Sequence, residues 1–304
     1  VIRSAQELYG ASEVTAAGNA FDAVGITDGS GSTGPKDQSP VNGTEWILLH
    51  NTDFQSDPNS LYIVKPDNPQ TSDFHPISKT KVNRRPSVVD DGSVAVFVAA
   101  DNTLHAITLN TTSPQESILS TSTVWENVAV SRDGNRLAVV STEVDSSIWV
   151  YNLAVTPVAI QRFYLYTPTT GSGVRNYTIQ FADAVEWDFS GQFVLFDAFN
   201  SVSNNQGDTL EYWNIGMLRA FDVAGKKFSD GLVLNLIPTL DQGIDVGNPT
   251  FSKNSPNIIA FDMFDSNNDR YAIIGMNTET SDGAVITLNS RLGTPSYGKN
   301  DNRI

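Results

Sequence analysis

The sequence contains no cysteine and is poor in other residues that carry chemistry. The absence of cysteine excludes disulfides, thiol catalysis, Cys-ligated zinc and iron–sulfur clusters. Only three histidines and three methionines occur in 304 residues. No stretch approaches 18 consecutive apolar residues, so no segment is predicted to span a bilayer.

Positive charge is also scarce. The chain has 19 Lys and Arg against 34 Asp and Glu, which gives a formal net charge of −15. Such a surface repels phosphate groups, so nucleic acids and anionic membranes are not predicted partners.

Helical periodicity is nearly absent, apart from a short stretch at residues 4–9. The rest of the chain consists of short runs rich in Val, Ile, Phe, Tyr, Trp and Thr, separated by Gly, Asn, Asp, Ser and Pro. This pattern is typical of strands joined by tight turns, and it predicts an all-β protein.

One unit recurs along the chain: an apolar strand, a tight polar turn, a second apolar strand, a variable loop and a third strand. Clear copies begin at residues 85, 127, 184 and 248, a weaker copy begins at 39, and an incomplete copy begins at 294. The copies are roughly 40 to 65 residues apart, a range that overlaps the blade periods of propellers. Because a single small sheet cannot bury both of its faces, radial stacking of the units is the predicted arrangement.

The first strand of each unit alternates in character. Its large apolar positions are two residues apart and are predicted to pack between blades. The intervening small or polar positions would line a central channel, as candidate binding residues: Arg85, Ser87, Asn127, Glu186, Asn248, Thr250 and Ser296. Three charged residues are predicted at the rim of this channel: Arg84, Glu126 and Asp183.

The repeat resembles the TolB-type, WD40-like (PD40) propeller repeat in the segments 86–92, 128–134 and 249–252 and in the strand ends Asn152-Leu153 and Asp222-Val223. The resemblance covers most of the chain from about residue 36. It lacks the Gly-His and Trp-Asp pairs of true WD40 blades, and the copy at 248 lacks the Asp-Gly turn. It implies a β-propeller of a kind that serves as a binding platform, an assembly subunit or a non-catalytic partner of a hydrolase.

We therefore expect a β-propeller over residues 36–304, with six blades and an incomplete last blade. Residues 1–35 form an N-terminal segment that could complete that last blade, and a seventh blade built from them is the alternative. We also expect that the chain is not the whole gene product.

Few motifs point to chemistry. No Gly-x-Ser-x-Gly elbow occurs. Residues 29–34 match Gly-x-Gly-x-x-Gly, but Pro35 and another turn follow instead of the helix that dinucleotide binding needs, so a loop is favoured. None of the three histidines has a partner at a metal-ligand spacing.

Two further sets of residues are candidate sites. Asp265, Asn267 and Asp269 form an oxygen-rich loop that could hold calcium, although Asx residues also simply make turns. Tyr212 and Trp213 are candidate contacts for a protein partner.

The leading hypothesis is a non-catalytic, extracytoplasmic (periplasmic or secreted) propeller that binds or scaffolds proteins as a subunit of a larger assembly. It needs no cofactor, and calcium is the one cation the sequence offers a place for. The alternative is an enzyme, or the accessory propeller of a hydrolase or lyase, with a polysaccharide or peptide substrate at the channel mouth. Carboxylates clustered there could do glycosidase-type work.

Overall fold

The computed structural model describes residues 43–53, 55, 57–109, 113–168, 175–237, 240–289, 293–299, 301 and 304. All of these residues belong to the unit Ser39–Ile304. The segment predicted at residues 1–35, including the Gly-rich stretch at 29–34, lies outside them. In the part of the chain that is described, no helix is long and apolar enough to cross a bilayer.

The described strands form seven antiparallel sheets, of which five are blades that follow one another along the chain and two are small hairpins. Blade 1 consists of β1 (Ile47–His50), β2 (Leu61–Val64) and β3 (His75–Ser78), with a 3-10 turn at Thr71–Asp73. Blade 2 consists of β4 (Ser87–Val88), β5 (Val94–Val98), β6 (Leu104–Thr108) and β7 (Glu116–Ser120). Blade 3 consists of β8 (Trp125–Val130), β9 (Arg136–Ser141), β10 (Ser147–Asn152) and β11 (Ala159–Tyr164).

Two small hairpins accompany the remaining blades. The first is β12 (Thr167–Pro168) with β13 (Arg175–Asn176). Blade 4 consists of β14 (Ile179–Trp187), β15 (Phe193–Ser203), β16 (Thr209–Arg219) and β19 (Val233–Asn235), and it is interrupted by the second hairpin, β17 (Phe221–Asp222) with β18 (Lys227–Phe228). Blade 5 consists of β20 (Ile244–Phe251), β21 (Ile258–Asp265), β22 (Arg270–Asn277) and β23 (Gly283–Asn289).

The turns between first and second strands follow the predicted chemistry. Gly92, Gly134 and Gly191 each have a φ near +70°, a conformation that costs glycine little. Each of these glycines donates its N–H to the carbonyl three residues earlier, which closes the turn. The Asp-Gly and Ser-Gly signals therefore mark the hairpins that start blades 2, 3 and 4.

The hydrophobic core lies between blades. Phe97 and Leu61 are fully buried in the cluster that joins blades 1 and 2, and Val128 and Leu137 belong to the cluster that joins blades 2 and 3. Similar clusters join blades 3 and 4 and blades 4 and 5. Because each large side chain buried this way contributes about 1.5–3 kcal/mol, the blades hold one another in place. The all-β propeller fold is thereby confirmed.

The ring closes through the segment 293–299. Lys299 donates its main-chain N–H to Glu45 Oε1 at 2.7 Å, and its ammonium donates to the Gly43 carbonyl, both just before β1 of blade 1. Arg85 of blade 2 donates to the Pro295 carbonyl at 2.5 Å. The segment after blade 5 thus occupies the innermost position of blade 1.

The predicted number of blades is wrong. The described residues form five blades, not six or seven. The copy that begins at Thr294 does not open a sixth blade, because it supplies the innermost segment of blade 1. Strands β1–β3 of that blade correspond to the second, third and fourth strands of the other blades. Pro295 and Tyr297 are buried while Thr294 and Ser296 are exposed, which is the alternation expected of a first strand.

Candidate functional site at one mouth of the ring

The centre of the ring is crossed by Arg85. Its Nη2 lies 3.3 Å from Oε2 of Glu186 on β14, while Nη1 donates to the carbonyl of Pro295. Glu186 Oε1 also accepts the N–H of Phe251 in blade 5 at 3.4 Å. Blades 2 and 4 are not neighbours, so this ion pair spans the central axis of the ring. The sequence predicts that both side chains face this axis.

Arg132, which was not predicted from the sequence, lies at one end of the axis. Its guanidinium pairs with Asp90 of blade 2, donates to the Lys253 carbonyl of blade 5 at 3.2 Å and lies 4.8 Å from the Phe189 ring of blade 4. An arginine in the turn of blade 3 thus joins three other blades. The predicted rim residues lie at the opposite end of the axis.

At that opposite end, the structure brings the three predicted rim residues together. Arg84 Nη2 lies 2.7 Å from Glu126 Oε1 and 3.1 Å from Asp183 Oδ1. Burial raises the pKa of Asp183, and the charge of Arg84 opposes that rise. One guanidinium is thus shared between two carboxylates, so the rim keeps an excess of negative charge.

The other predicted channel residues have structural contacts. Asn127 Nδ2 donates to the Asp183 carbonyl at 3.0 Å, and Ser87 Oγ accepts a main-chain N–H of blade 3 at 3.0 Å. Thr250 is only 2% exposed, whereas Ser296 is exposed. Ligand binding by these residues stays a prediction.

Asp197 on β15 joins blade 4 to blade 5. Its Oδ1 accepts the N–H of Ala184 at 2.6 Å, and its Oδ2 accepts the N–H of Asn248 at 2.7 Å. The side chain is almost fully buried at 2% exposure. Burial raises the pKa of Asp197 to about 7, even though both main-chain hydrogen bonds favour the carboxylate.

Asp262 on β21 repeats this arrangement in blade 5. Both of its oxygens accept the N–H of Thr294, at 2.9 and 2.7 Å, and Oδ2 also accepts from Asn248 Nδ2 at 3.0 Å. Burial raises the pKa of Asp262 as well. Asn248 and Thr294 occupy equivalent positions in the repeat and share a positive φ, of 50° and 58°. Each Asp therefore fixes the first segment of the following blade.

A glycine precedes each of these anchored turns. A Cβ on Gly247 would lie 2.9 Å from Asp197 Oδ2, and a Cβ on Gly293 would lie 2.9 Å from Asp262 Oδ2. The sequence carries the signal as Gly247-Asn248-Pro249 and Gly293-Thr294-Pro295. This signal was not predicted, because only the positions from Asn248 and Thr294 onward were aligned.

These residues surround a cavity of about 470 Å³ that opens at the mouth near Arg84. Its polar lining is strongly acidic and its apolar lining is mostly aromatic. The lining residues are Asp183, Asp197, Trp213, Asp245, Val246, Gly247, Asn248, Asp262, Phe264, Tyr271 and Gly293. Of the residues predicted to contact a partner, Trp213 lies in this cavity.

The aromatic rings of the cavity are fixed by their neighbours. Tyr271 stacks on Phe264 with ring centroids 4.6 Å apart. Trp213 packs at 5.6 Å from the rings of Phe181 and Phe199, and its main-chain N–H donates to Asp245 Oδ1 at 2.7 Å. Asp245, Phe264 and Tyr271 were not predicted as site residues, because their position beside Trp213 depends on the packing of blade 5 against blade 4.

The remaining predicted site residues lie elsewhere. Tyr212 lines a second cavity, of about 590 Å³, beside β16 and β19, and Asp245 lines both cavities. Asp265, Asn267 and Asp269 lie in the β21–β22 hairpin, where Asp265 accepts from Asn268 Nδ2 at 2.6 Å and from the Asn267 N–H at 3.1 Å. These bonds are those of a turn, and a calcium ion in this loop stays a prediction.

The chemical capacity of the cavity follows from its lining. Its carboxylates already accept main-chain or guanidinium hydrogens, yet a carboxylate has about four acceptor positions, so each can take another donor. Among the described residues, no group of three or more His, Cys, Asp and Glu side chains is placed to hold a metal ion. The cavity is thus suited to donors of hydrogen bonds and to positive charge.

Comparisons with known proteins bear on the fold alone. No family model matches the chain, and no curated protein matches it. Among solved structures, it is similar to the β-propeller domain of Cps50 (Swd1) from Myceliophteria thermophila, with 8% identity, a TM-score of 0.44 and coverage of 85% of this chain and 90% of that one.

It is also similar to two structures of oligogalacturonate lyase. One is from Vibrio parahaemolyticus, with 10% identity, a TM-score of 0.43 and coverage of 85% of this chain and 71% of that one. The other is a complex with manganese, with 9% identity, a TM-score of 0.46 and coverage of 83% and 66%. Similarity at this level does not indicate what this chain binds, and membership of the TolB-type family stays a prediction.

Proposed function

We propose that this chain is a non-catalytic binding module, a subunit that holds a protein partner on the ring face where the acidic cavity opens. The supporting observation is that the carboxylates of the cavity already have structural partners. Asp197 and Asp262 bind the main chain of the following blade, Asp245 binds the main chain at Trp213, and Asp183 pairs with Arg84. Carboxyl oxygens held by N–H donors are placed to accept hydrogen bonds, whereas a general acid must carry a proton and release it to the substrate.

The charge of this face suggests a basic partner surface. A chain with a net charge of −15 attracts positively charged proteins, and complementary charge speeds their encounter. Aromatic side chains such as Trp213 and Tyr271 are enriched at protein interfaces. An extracytoplasmic location stays a prediction alongside this proposal.

The alternative function is an enzyme that cleaves a polysaccharide or peptide at the same mouth. One observation favours it: burial raises the pKa of Asp183, Asp197 and Asp262. A carboxylic acid that keeps its proton beside a second carboxylate is what glycoside hydrolysis requires.

Binding and turnover assays on matched variants separate the two functions. The probes are short oligolysine and oligoglutamate peptides and a panel of polysaccharides. The variant Asp183→Asn removes one charge at the mouth. The control Glu279→Gln removes one charge in the exposed β22–β23 turn, at the opposite end of blade 5.

The proposal predicts that oligolysine binds, that oligoglutamate does not, and that Asp183→Asn weakens oligolysine binding more than Glu279→Gln does. It also predicts no cleavage of any polysaccharide. Cleavage that is lost in Asp183→Asn would contradict the proposal and support the enzyme. Equal weakening of oligolysine binding in both variants would also contradict it, because binding would then follow net charge alone.

A further inference from the structure

The acidic cavity at the ring mouth has the composition of a receptor for a single organic cation. We propose that it binds the ammonium or guanidinium group of a lysine or arginine side chain of the partner, with the cation between carboxylates and aromatic ring faces. This inference rests on the proposed function and names the group that the module recognises.

The charge inside the cavity is unbalanced. Four of its lining residues are aspartates, and none of the described lining residues is Lys, Arg or His. The nearby Arg84 reaches Asp183 but is shared with Glu126. Among the described residues, Asp197 and Asp262 accept hydrogen bonds from uncharged groups and form no ion pair, so the charge that each carries when ionised is not paired inside the cavity. Because burial raises the pKa of both, and that of Asp197 to about 7, the cavity is most negative above about pH 7.

The aromatic rings give the cavity a second kind of cation contact. The negative face of an aromatic ring attracts Lys and Arg within about 6 Å of its centroid. Tyr271 is 39% exposed and is held in place by its stacking on Phe264. Trp213 is held between neighbouring rings and Asp245. A cation that enters meets rings that are already ordered, so little side-chain entropy is lost on binding.

The size of the cavity fits a side chain. A volume of about 470 Å³ lies within the range of small-ligand sites, and it exceeds what a few ordered waters need. Val246 and Phe264 supply apolar surface for an alkyl stem. A bare metal ion is a poorer fit, because the described residues bring no group of three metal-ligating side chains together.

The test uses small capped amino acids whose binding is followed by protein NMR. Nα-acetyl-lysine methylamide carries the cation, and Nα,Nε-diacetyl-lysine methylamide is its neutral analogue. The inference predicts that the cationic probe binds with a dissociation constant of about 1 mM, as expected for a fragment, and that the neutral analogue binds at least about tenfold more weakly. Butylamine is a third probe that lacks the peptide groups, and tighter binding of butylamine would indicate a free amine instead of a side chain.

Aromatic variants separate cation contact from general acidity. Tyr271→Leu removes the exposed ring and Tyr271→Trp keeps a ring face, so the inference predicts weaker binding of the cationic probe in the first and recovery in the second. Tyr164→Leu, on β11 outside the cavity, is the matched control, because Tyr164 is 63% exposed. Equal binding of the neutral analogue, or equal loss in Tyr164→Leu, would overturn the inference.

The outcomes also distinguish this inference from the proposed function. If oligolysine binding depends on Asp183 but the cationic probe does not bind, the cavity inference is wrong and the binding module stands. If the probe binds in the cavity but oligolysine does not bind, the protein-binding module is wrong, and the site serves a small free cation.

Discussion

The close approach of Gly247 to Asp197 gives a sharp test of how blade 5 is held against blade 4. A methyl group at Gly247 would come within 2.9 Å of Asp197 Oδ2, and that carboxylate cannot move without losing its bond to the Ala184 or the Asn248 N–H. No positive φ is involved at Gly247, so alanine there suffers only from the contact. Overpacking of this kind costs about 1–3 kcal/mol, and leaving a buried N–H without its acceptor costs a similar amount.

We therefore predict that Gly247→Ala lowers the free energy of unfolding by about 1–3 kcal/mol, measured by urea denaturation with tryptophan fluorescence. Gly293→Ala should have a similar effect, because its methyl group would lie 2.9 Å from Asp262 Oδ2. The control is Gly283→Ala in the exposed strand β23, where the nearest heavy atom is 3.6 Å away and alanine should stabilise by about 0.5 kcal/mol. A Gly247→Ala variant as stable as Gly283→Ala would refute the reasoning.

Two further predictions concern charges along the axis. Arg85→Met should lower the free energy of unfolding by about 2 kcal/mol, because it leaves the half-buried Glu186 without its ion pair. Arg84→Met, on the more exposed rim, should lower it by about 1 kcal/mol or less. If urea unfolding shows that Arg85→Met loses no more stability than Arg84→Met, the ion pair across the ring is contradicted. Asp197 keeps its proton up to about pH 7 in the folded state but loses it near pH 4 in the unfolded state. Its contribution to the free energy of unfolding is therefore largest at low pH and declines as the pH rises between those two values. The stability advantage of the wild type over Asp197→Asn should thus shrink by about 2–3 kcal/mol between about pH 5 and about pH 8, and a constant or growing difference would contradict the raised pKa.

Much of the fold was predictable because the repeat records it locally. The apolar positions of the first strands were aligned correctly, since a two-residue alternation is visible without knowing the partner strand. The number of blades was not predictable in the same way. The segment that begins at Thr294 has the pattern of a first strand, and nothing local indicates that it completes blade 1.

The candidate site was predicted only in part. The rim residues Arg84, Glu126 and Asp183 were found because they adjoin the aligned strands. Asp197 and Asp262 were recognised as equivalent, but their role depends on main-chain hydrogen bonds to the next blade, which no residue pattern within one blade reveals. The aromatic wall was missed for a similar reason, because it forms only when strands of blades 4 and 5 come together.

The closure of the ring is the central structural claim, and zero-length cross-linking tests it most directly. A carbodiimide joins a carboxylate to an amine that can come into contact with it. In the closed five-bladed ring, Glu45 Oε1 accepts the main-chain N–H of Lys299 while the Lys299 ammonium donates to the Gly43 carbonyl two residues away, so rotation of the lysine side chain alone brings the amine to the carboxylate. We predict that mass spectrometry of the digested monomer finds a cross-link between Lys299 and Glu45, and that Lys299→Arg abolishes it. The control is a cross-link between Lys227 and Asp222, which pair within the β17–β18 hairpin. If the control forms but the Lys299–Glu45 cross-link does not, another blade or segment separates Lys299 from Glu45 and the five-bladed ring is wrong.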